Sequence, residues 1–293
     1  MSNSENLELK NLLASNQNAN TKKTYQTSYN KLMKTGKFDN TSITNTDNLK
    51  LIEIINDIST NPNNRKTYLT TIIKLKRLAD PNADILALEH FRTQNKTDTL
   101  QFNKDKKSAT VSDGLTFQGF QEYVAQLLNR EEYMKYIVNY LMLHFGVRNK
   151  DTDLVIVYSK SKNSITKDDN YLVVYKTKIE YIRNKYKTYN IYGEKKITIT
   201  DKKFINAVNN LGRENLQPLL ITGKGTRYTE KSLPEALKRI TYANAGEGRL
   251  FKLLVDEYKF NTQKLTELSN SRGTSLAEIM SSYTTADLTN NEL

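Results

Sequence analysis

Cysteine is absent from this sequence, and only two histidines occur in its 293 residues. Without a thiol there is no disulfide scaffold, no thiolate zinc site, no Cys nucleophile and no iron–sulfur ligation. Two histidines are too few for an ordinary His-based metal site, and no metal or cofactor is expected. No apolar run approaches ~18 residues, so no membrane span is expected. The opening segment MSNSENLELK is polar and lacks the apolar stretch of a signal peptide. An intracellular protein, in the cytoplasm or nucleus of its cell, is the expectation. Hydrophobic residues make up 37% and the mean hydropathy is −0.66, so the surface is polar.

What is present is positive charge. Lys and Arg number 44 against 32 Asp and Glu, a formal net charge of +12. Such an excess points to a polyanionic partner. Heavy use of Asn and Lys, as in an AT-rich genome, accounts for part of it. The length suits two domains.

Residues 1–20 read as a polar tail or short helix and 21–91 as a small bundle of basic helices. Tyr25, Tyr29, Leu32 and Met33 share one helix face, as do Tyr68, Ile72, Ile73 and Leu75 on the next clear helix. Residues 92–113 are polar and without period, and read as a linker. Residues 114–293 form the second domain. Its helix from Glu131 to Phe145 ends at Gly146, a plausible C-cap. His144 reads as a core histidine on that helix and His90 as a surface residue. The period then changes. DLVIVY and YLVVY are strand-like, and a third and fourth strand follow around Gly193. A small antiparallel sheet inside a mainly α domain is expected, with helices returning after residue 202.

Cleaving a phosphodiester without a metal needs a nucleophile, cations for the nonbridging oxygens and an acid for the leaving alkoxide. Here the nucleophile must be Ser, Thr or Tyr. Several features stand in a telling order. A helix ends in Gly146-Val147-Arg148-Asn149-Lys150-Asp151, and Lys187-Thr188 lies near a hairpin. Arg249 closes the box Gly246-Glu247-Gly248-Arg249. Gly273-Thr274-Ser275 precedes Tyr283, which is nine residues after Thr274. From residue 20 to 285 this order resembles the tyrosine recombinase (phage integrase) family, with type IB topoisomerases as near relatives.

The resemblance implies an N-terminal SAM-like helical bundle and a C-terminal catalytic domain, in a protein of a virus or mobile element. It implies that Tyr283 attacks a DNA phosphate to form a 3′-phosphotyrosyl bond. Arg148 and Arg249 would clamp the nonbridging oxygens, and Lys187 would protonate the departing 5′-oxygen, with Lys185 a weaker candidate. Asp151 and Gly246 are supporting positions. Glycine at 246 and threonine at 274 replace the family's His and its His or Trp, which implies a slow enzyme or one that binds DNA without cleaving it. A type IB topoisomerase is a further alternative. The expected partner is double-stranded DNA. Lys22, Lys23, Lys31, Arg65, Lys66, Lys74, Lys76 and Arg77 are phosphate-contact candidates in the first domain. Lys224 and Arg227 of GKGTR are candidates in the second. The ten-residue tail Thr284–Leu293 carries little apolar area, so a monomer is expected in solution and a tetramer only on DNA. Leu7, Leu9, Leu12 and Leu13 are the alternative source of a subunit contact.

Overall fold

The computed structural model describes residues 3–15, 18–37, 42–110 and 114–283. The tail at residues 284–293, from which little subunit contact is expected, lies outside the described residues. The chain divides into two compact units, Met1–Thr110 and Val111–Leu293. No described helix is long and apolar enough to cross a membrane.

The first unit is helical: α1 (Asn3–Ala14), α2 (Ala19–Met33), α3 (Asn48–Ile58), α4 (Pro62–Ala79) and α5 (Leu86–Thr110). Side-chain oxygens start three of them. Asn18 accepts from the backbone of Asn20 and Thr21, Asp47 from Leu49 and Lys50, and Asn61 from Asn63, ahead of a proline in the first turn. The apolar faces meet as the 3.6-residue period requires. Tyr29 and Leu32 of α2 and Tyr68, Leu69, Ile72 and Ile73 of α4 are buried with Leu51, Ile54 and Ile55 of α3. Leu12 is buried in this core and Leu9 packs against it, so both serve their own unit rather than a second subunit. Glu8 fastens α1 by accepting from Tyr29 Oη at 3.3 Å and from the Thr44 backbone at 3.0 Å.

Two expectations fail in this unit. Residues 92–110 of the expected linker are helical, as the continuation of α5. That stretch lacks an apolar stripe because polar groups hold it. Asn95 is fully buried and donates to the Pro62 carbonyl at 2.9 Å, and Asp98 pairs with Arg65 at 3.3 Å. Lys76 is a core residue rather than a phosphate contact. Its ammonium donates to the carbonyls of Thr46 (2.8 Å) and Thr44 (3.2 Å), tying the turn before α3 to α4. Burial pushes its pKa down, against the pull of Asp47 and Asp84.

The second unit opens with α6 (Phe117–Asn129) and α7 (Tyr133–Phe145). Helix α7 is buried from Tyr136 to Leu143, and α6, α9 (Lys202–Asn210), α11 (Glu247–Tyr258) and α12 (Thr262–Arg272) pack around it. The strands are β1 (Leu154–Tyr158), β2 (Asn170–Val174), β3 (Ile179–Arg183), β4 (Lys195–Ile199) and β5 (Gln217–Pro218), with the short α8 (Tyr189–Tyr192) between β3 and β4. Helices α9 (Lys202–Asn210), α10 (Leu233–Lys238), α11 (Glu247–Tyr258), α12 (Thr262–Arg272) and α13 (Leu276–Tyr283) complete it. The sheet order is β4-β3-β2-β1-β5. It is mixed, not antiparallel, because β1 and β2 run parallel with Leu154 opposite Asn170. Residues 159–169, which include a 3-10 segment (Ser159–Ser164), make the short crossover between them.

Both sheet faces are covered over β1 and β2, which is why those two strands read as nearly unbroken apolar runs. Leu154, Ile156, Leu172, Val174, Ile179 and Tyr181 join the helical core. Val155, Val157, Tyr171, Val173 and Ile182 form a smaller cluster on the other face. Glu180 shares that second face by strand alternation. Its carboxylate is 4% exposed and accepts from Lys178 (2.9 Å), Lys196 (3.0 Å), Lys162 (3.4 Å) and Tyr175 Oη (3.0 Å).

Burial alone would raise the Glu180 pKa, but the donors Lys178, Lys196 and Tyr175 outweigh it and bring it down to about 2 from 4.5. The carboxylate is therefore bound more tightly folded than unfolded. Its stabilisation is present above pH 4.5 and is lost as pH falls toward 2. Glu180→Gln is expected to cost about 1–2 kcal/mol at neutral pH, since the half-exposed lysines are screened by solvent. It should also flatten the acid limb of stability, as read from urea melts at stepped pH.

Candidate functional site

The turn between α12 and α13 decides where Tyr283 stands. Its three successive carbonyls are each taken by a side chain from elsewhere. Ser271 O accepts from Arg183 Nη2, Arg272 O from Arg148 Nη1 at 2.7 Å, and Gly273 O from Thr188 Oγ1 at 2.5 Å. These donors come from the end of β3, the segment after α7 and the loop before α8. Gly273 sits at φ +64, and a Cβ there would lie 2.8 Å from Tyr186 Cε2 and 2.9 Å from Thr188 Oγ1. Glycine is required on both counts. Gly146 is the second such position: it caps α7 at φ +56, and a Cβ would meet the Phe251 ring at 2.6 Å. The expected C-cap is therefore present.

Arg148 and Arg272 exchange contacts. While Arg148 donates to the Arg272 carbonyl, Arg272 Nη1 donates to the Gly146 carbonyl at 2.6 Å. Arg272 Nη2 meets Glu247 Oε1 at 3.1 Å, and the other Glu247 oxygen accepts from the Asn149 backbone. Asp151, fully buried, accepts from the Arg148 backbone at 3.0 Å and from Arg183 Nη1 at 3.1 Å. Three guanidinium groups thus share two carboxylates, leaving one positive charge in excess. Burial and then the Arg272 charge push the Arg148 pKa down, while Asp151, Tyr283 and Glu247 pull it up. Tyr283 lies in the field of Arg148.

Tyr283 ends α13 and is half-buried. Its ring meets Phe251 edge-on, with centroids 4.8 Å apart. The Arg272 guanidinium lies 3.9 Å from the Phe251 centroid and 5.3 Å from that of Tyr283.

The other expected site residues are placed unevenly. Lys187 is exposed, between Tyr186 and Thr188, the two residues that close on Gly273. Lys185 is exposed as well. Arg249 is half-buried on the first turn of α11, where its charge acts on Lys252. Thr274 is half-buried, and its backbone exchanges hydrogen bonds with Ser269: its N–H donates to Ser269 O at 3.1 Å, and its carbonyl accepts from Ser269 Oγ at 2.6 Å. Gly246 is the N-cap of α11 at φ −69, with nothing within 4 Å of where a Cβ would stand. His144 is not a core histidine. It is exposed, its ring lies tilted against Tyr140 with centroids 4.1 Å apart, and it lines a cavity of about 890 Å³ with Asp201, Lys195, Lys196 and Lys264. His90 is exposed.

Arg183, Arg272 and Glu247 carry the site, and sequence reasoning gave them no role. Arg183 is two residues beyond the buried Tyr181, so strand alternation already turned a charge inward. Arg272 stands immediately before Gly273-Thr274-Ser275, and Glu247 lies within the Gly246–Arg249 box.

Among the expected DNA contacts, Lys23, Lys31, Lys66, Arg77 and Lys224 are exposed, and Lys22 and Lys74 half-buried. Lys23 and Lys31 line a groove of about 380 Å³ between α2 and α4 with Asn20, Thr24, Asn64 and Thr67. Arg77 pairs with Glu89 and Arg65 with Asp98. Arg227 is a structural clamp. It holds Asp153 and Asp169, both at 2.8 Å, and these contacts raise its pKa against the effect of burial.

The two glycines offer a matched test. Gly273→Ser is expected to destabilise the fold by about 1–3 kcal/mol or more, from positive φ and steric overlap. Gly246→Ser should be neutral or stabilising by a few tenths of a kcal/mol, since Ser is the better N-cap. Equilibrium denaturation of both variants decides it.

No protein-family model matches this chain, and no curated protein matches it. A solved structure described as "Crystal structure of XerA recombinase" aligns with 97% of this chain and 94% of its own, at 9% sequence identity and a TM-score of 0.38. The reading of the site therefore rests on this chain's own residues.

Proposed function

We propose that this chain cleaves and rejoins double-stranded DNA through a 3′-phosphotyrosyl intermediate, as a site-specific recombinase or integrase does. The observation that carries the reading is the placement of Tyr283 against Arg272 and in the field of Arg148, within a network holding one surplus positive charge. A DNA phosphate would supply the matching negative charge. In this reading the first unit is the DNA-gripping bundle, with the α2–α4 groove and its lysines toward the backbone, and the second is the catalytic domain.

The proposed chemistry balances without a metal. The Tyr283 oxygen bonds to phosphorus as the bond from phosphorus to the 5′-oxygen breaks, and the phenolic proton is released. Lys187 gives its proton to the leaving 5′-oxygen. Arg148 and Arg249 hold the nonbridging oxygens, where paired N–H donors match the planar geometry. The phosphotyrosyl bond is reversed by attack of a 5′-hydroxyl, so rejoining needs no external energy source.

A second reading is DNA binding without cleavage. It is favoured by the bond from Arg148 Nη1 to a backbone carbonyl, and by the absence of imidazoles at Gly246 and Thr274. Losing one such donor costs on the order of 10²–10³ in rate.

Suicide DNA substrates separate the two. A covalent complex on denaturing gels is expected for the native chain and none for Tyr283→Phe, with DNA affinity nearly intact. An adduct that persists without the Tyr283 hydroxyl moves the nucleophile elsewhere; no adduct from either protein establishes the binding-only reading. Gly246→His combined with Thr274→His is expected to raise the cleavage rate, because position 246 has ordinary φ and open space. A folded double variant no faster than the native chain argues that imidazoles have no place in this site.

A further inference from the structure

The lysines around Glu180 are more numerous than one carboxylate needs. Lys162, Lys178 and Lys196 all bond to it, from the 3-10 segment after β1, the β2–β3 turn and β4. One lysine would neutralise it. Three leave two surplus positive charges within a few ångströms of each other, and like charges at that spacing repel. Local sequence does not force this, since three separate segments converge on the carboxylate. The ammonium groups are not buried: their side chains are 47%, 40% and 43% exposed, against 5% for Glu180. Each ammonium has three donors; each uses one on Glu180, and Lys162 uses a second on Tyr175. The Tyr175 ring stiffens the arrangement, lying 4.8 Å from the Lys178 ammonium and 5.8 Å from that of Lys162.

We propose that Glu180 gathers Lys162, Lys178 and Lys196 into an anion-binding patch that takes a phosphate of the DNA backbone, at a place separate from Tyr283. The identity of the anion rests on the proposed DNA substrate. Placement supports a second contact. Arg183, which holds the Tyr283 turn, is three residues further along β3 and faces the other side of the sheet by alternation. At about 3.3 Å per residue the two positions are roughly 10 Å apart along the strand. The exposure of all three ammonium groups suits the edge of a long polymer. Glu180 acts as a positioning residue: it fixes where the ammonium groups stand and leaves their remaining donors to the anion.

The test is binding of a fluorescein-labelled duplex, followed by anisotropy across a salt series. Lys162, Lys178 and Lys196 are changed together to Gln in one variant. A second variant adds Glu180→Gln, so that no buried carboxylate is left unpaired. A control changes Lys202, Lys203 and Lys238, exposed lysines of α9 and α10, to Gln. Both patch variants are expected to bind at least about tenfold more weakly than the control, with the slope of log affinity against log salt reduced by about 1–2. Glu180→Gln alone should lose stability and, with the ammonium groups no longer held in place, bind DNA more weakly than the native chain, though less weakly than the triple-lysine variant. Patch variants that match the control, in affinity and slope, overturn the proposal and leave the lysines as partners of Glu180 only. The covalent-complex assay at saturating duplex keeps the two readings apart. An undiminished Tyr283 adduct in the patch variants is expected. If the native chain forms no adduct, the binding comparison still decides the patch.

Discussion

The second unit is organised around three adjacent carbonyl groups. Residues 271 to 273 leave the end of α12 with their oxygens unpaired by any helix, as every helix C-terminus does. Arg183, Arg148 and Thr188 fill those positions from three distant segments. Much else follows from this arrangement. Gly273 has to be glycine because Tyr186 and Thr188 close on it. Asp151 and Glu247 must be present because buried guanidinium groups without carboxylates would be intolerable. Gly146 must be bare so that the Phe251 ring can reach the chain just ahead of Arg148. The direction of α13, and with it the position of the Tyr283 ring, is the outcome.

Buried charge of this kind is a poor source of net stability, since desolvation offsets most of the attraction. Apolar side chains would have packed the same space at less risk. What the charges provide is geometry: a guanidinium that reaches a carbonyl and a carboxylate together is fixed in position and plane. Arg183 and Arg272 each reach both kinds of partner, and Arg148, bonded to the Arg272 carbonyl, lies in the field of the tyrosine. One residue thereby links the framework to the chemistry.

Parts of this were legible in the residues. The burial of α2 and α4 followed from apolar spacing, the end of α7 from Gly146, and the Arg148–Asp151 pair from its three-residue interval. Lys76 could have been placed inside, because it lies four residues after Ile72 and three after Ile73. Other features left no periodic trace. Helix α5 is anchored through the amide of Asn95, and a single buried polar group produces no pattern. The parallel pairing of β1 and β2 depends on the path of residues 159–169, which strand propensity does not encode. Arg183 and Arg272 look like any other arginines until the turn that they grip is in place. The three charges around Glu180 are scattered over 35 positions in sequence, from Lys162 to Lys196, and only the sheet register brings them to one point.

The late position of Arg272 has a consequence for how the protein is made. A ribosome releases the chain from the N-terminus onward, and domains begin to fold as they emerge. Helix α7 and strands β1 to β4 are complete long before residue 272 leaves the exit tunnel. Until then Arg148 and Arg183 have no turn to grip, and Phe251 has no cation above its ring. The core of the second unit must wait, half-assembled and with unpaired charge in its interior, for the last turn of α12 to be synthesised. An interruption of translation within α12 would leave a product whose sheet is formed but whose interior cannot close. Such truncated chains would be exposed to proteases and chaperones, and a single arginine would separate a chain whose second unit can close from one whose second unit cannot.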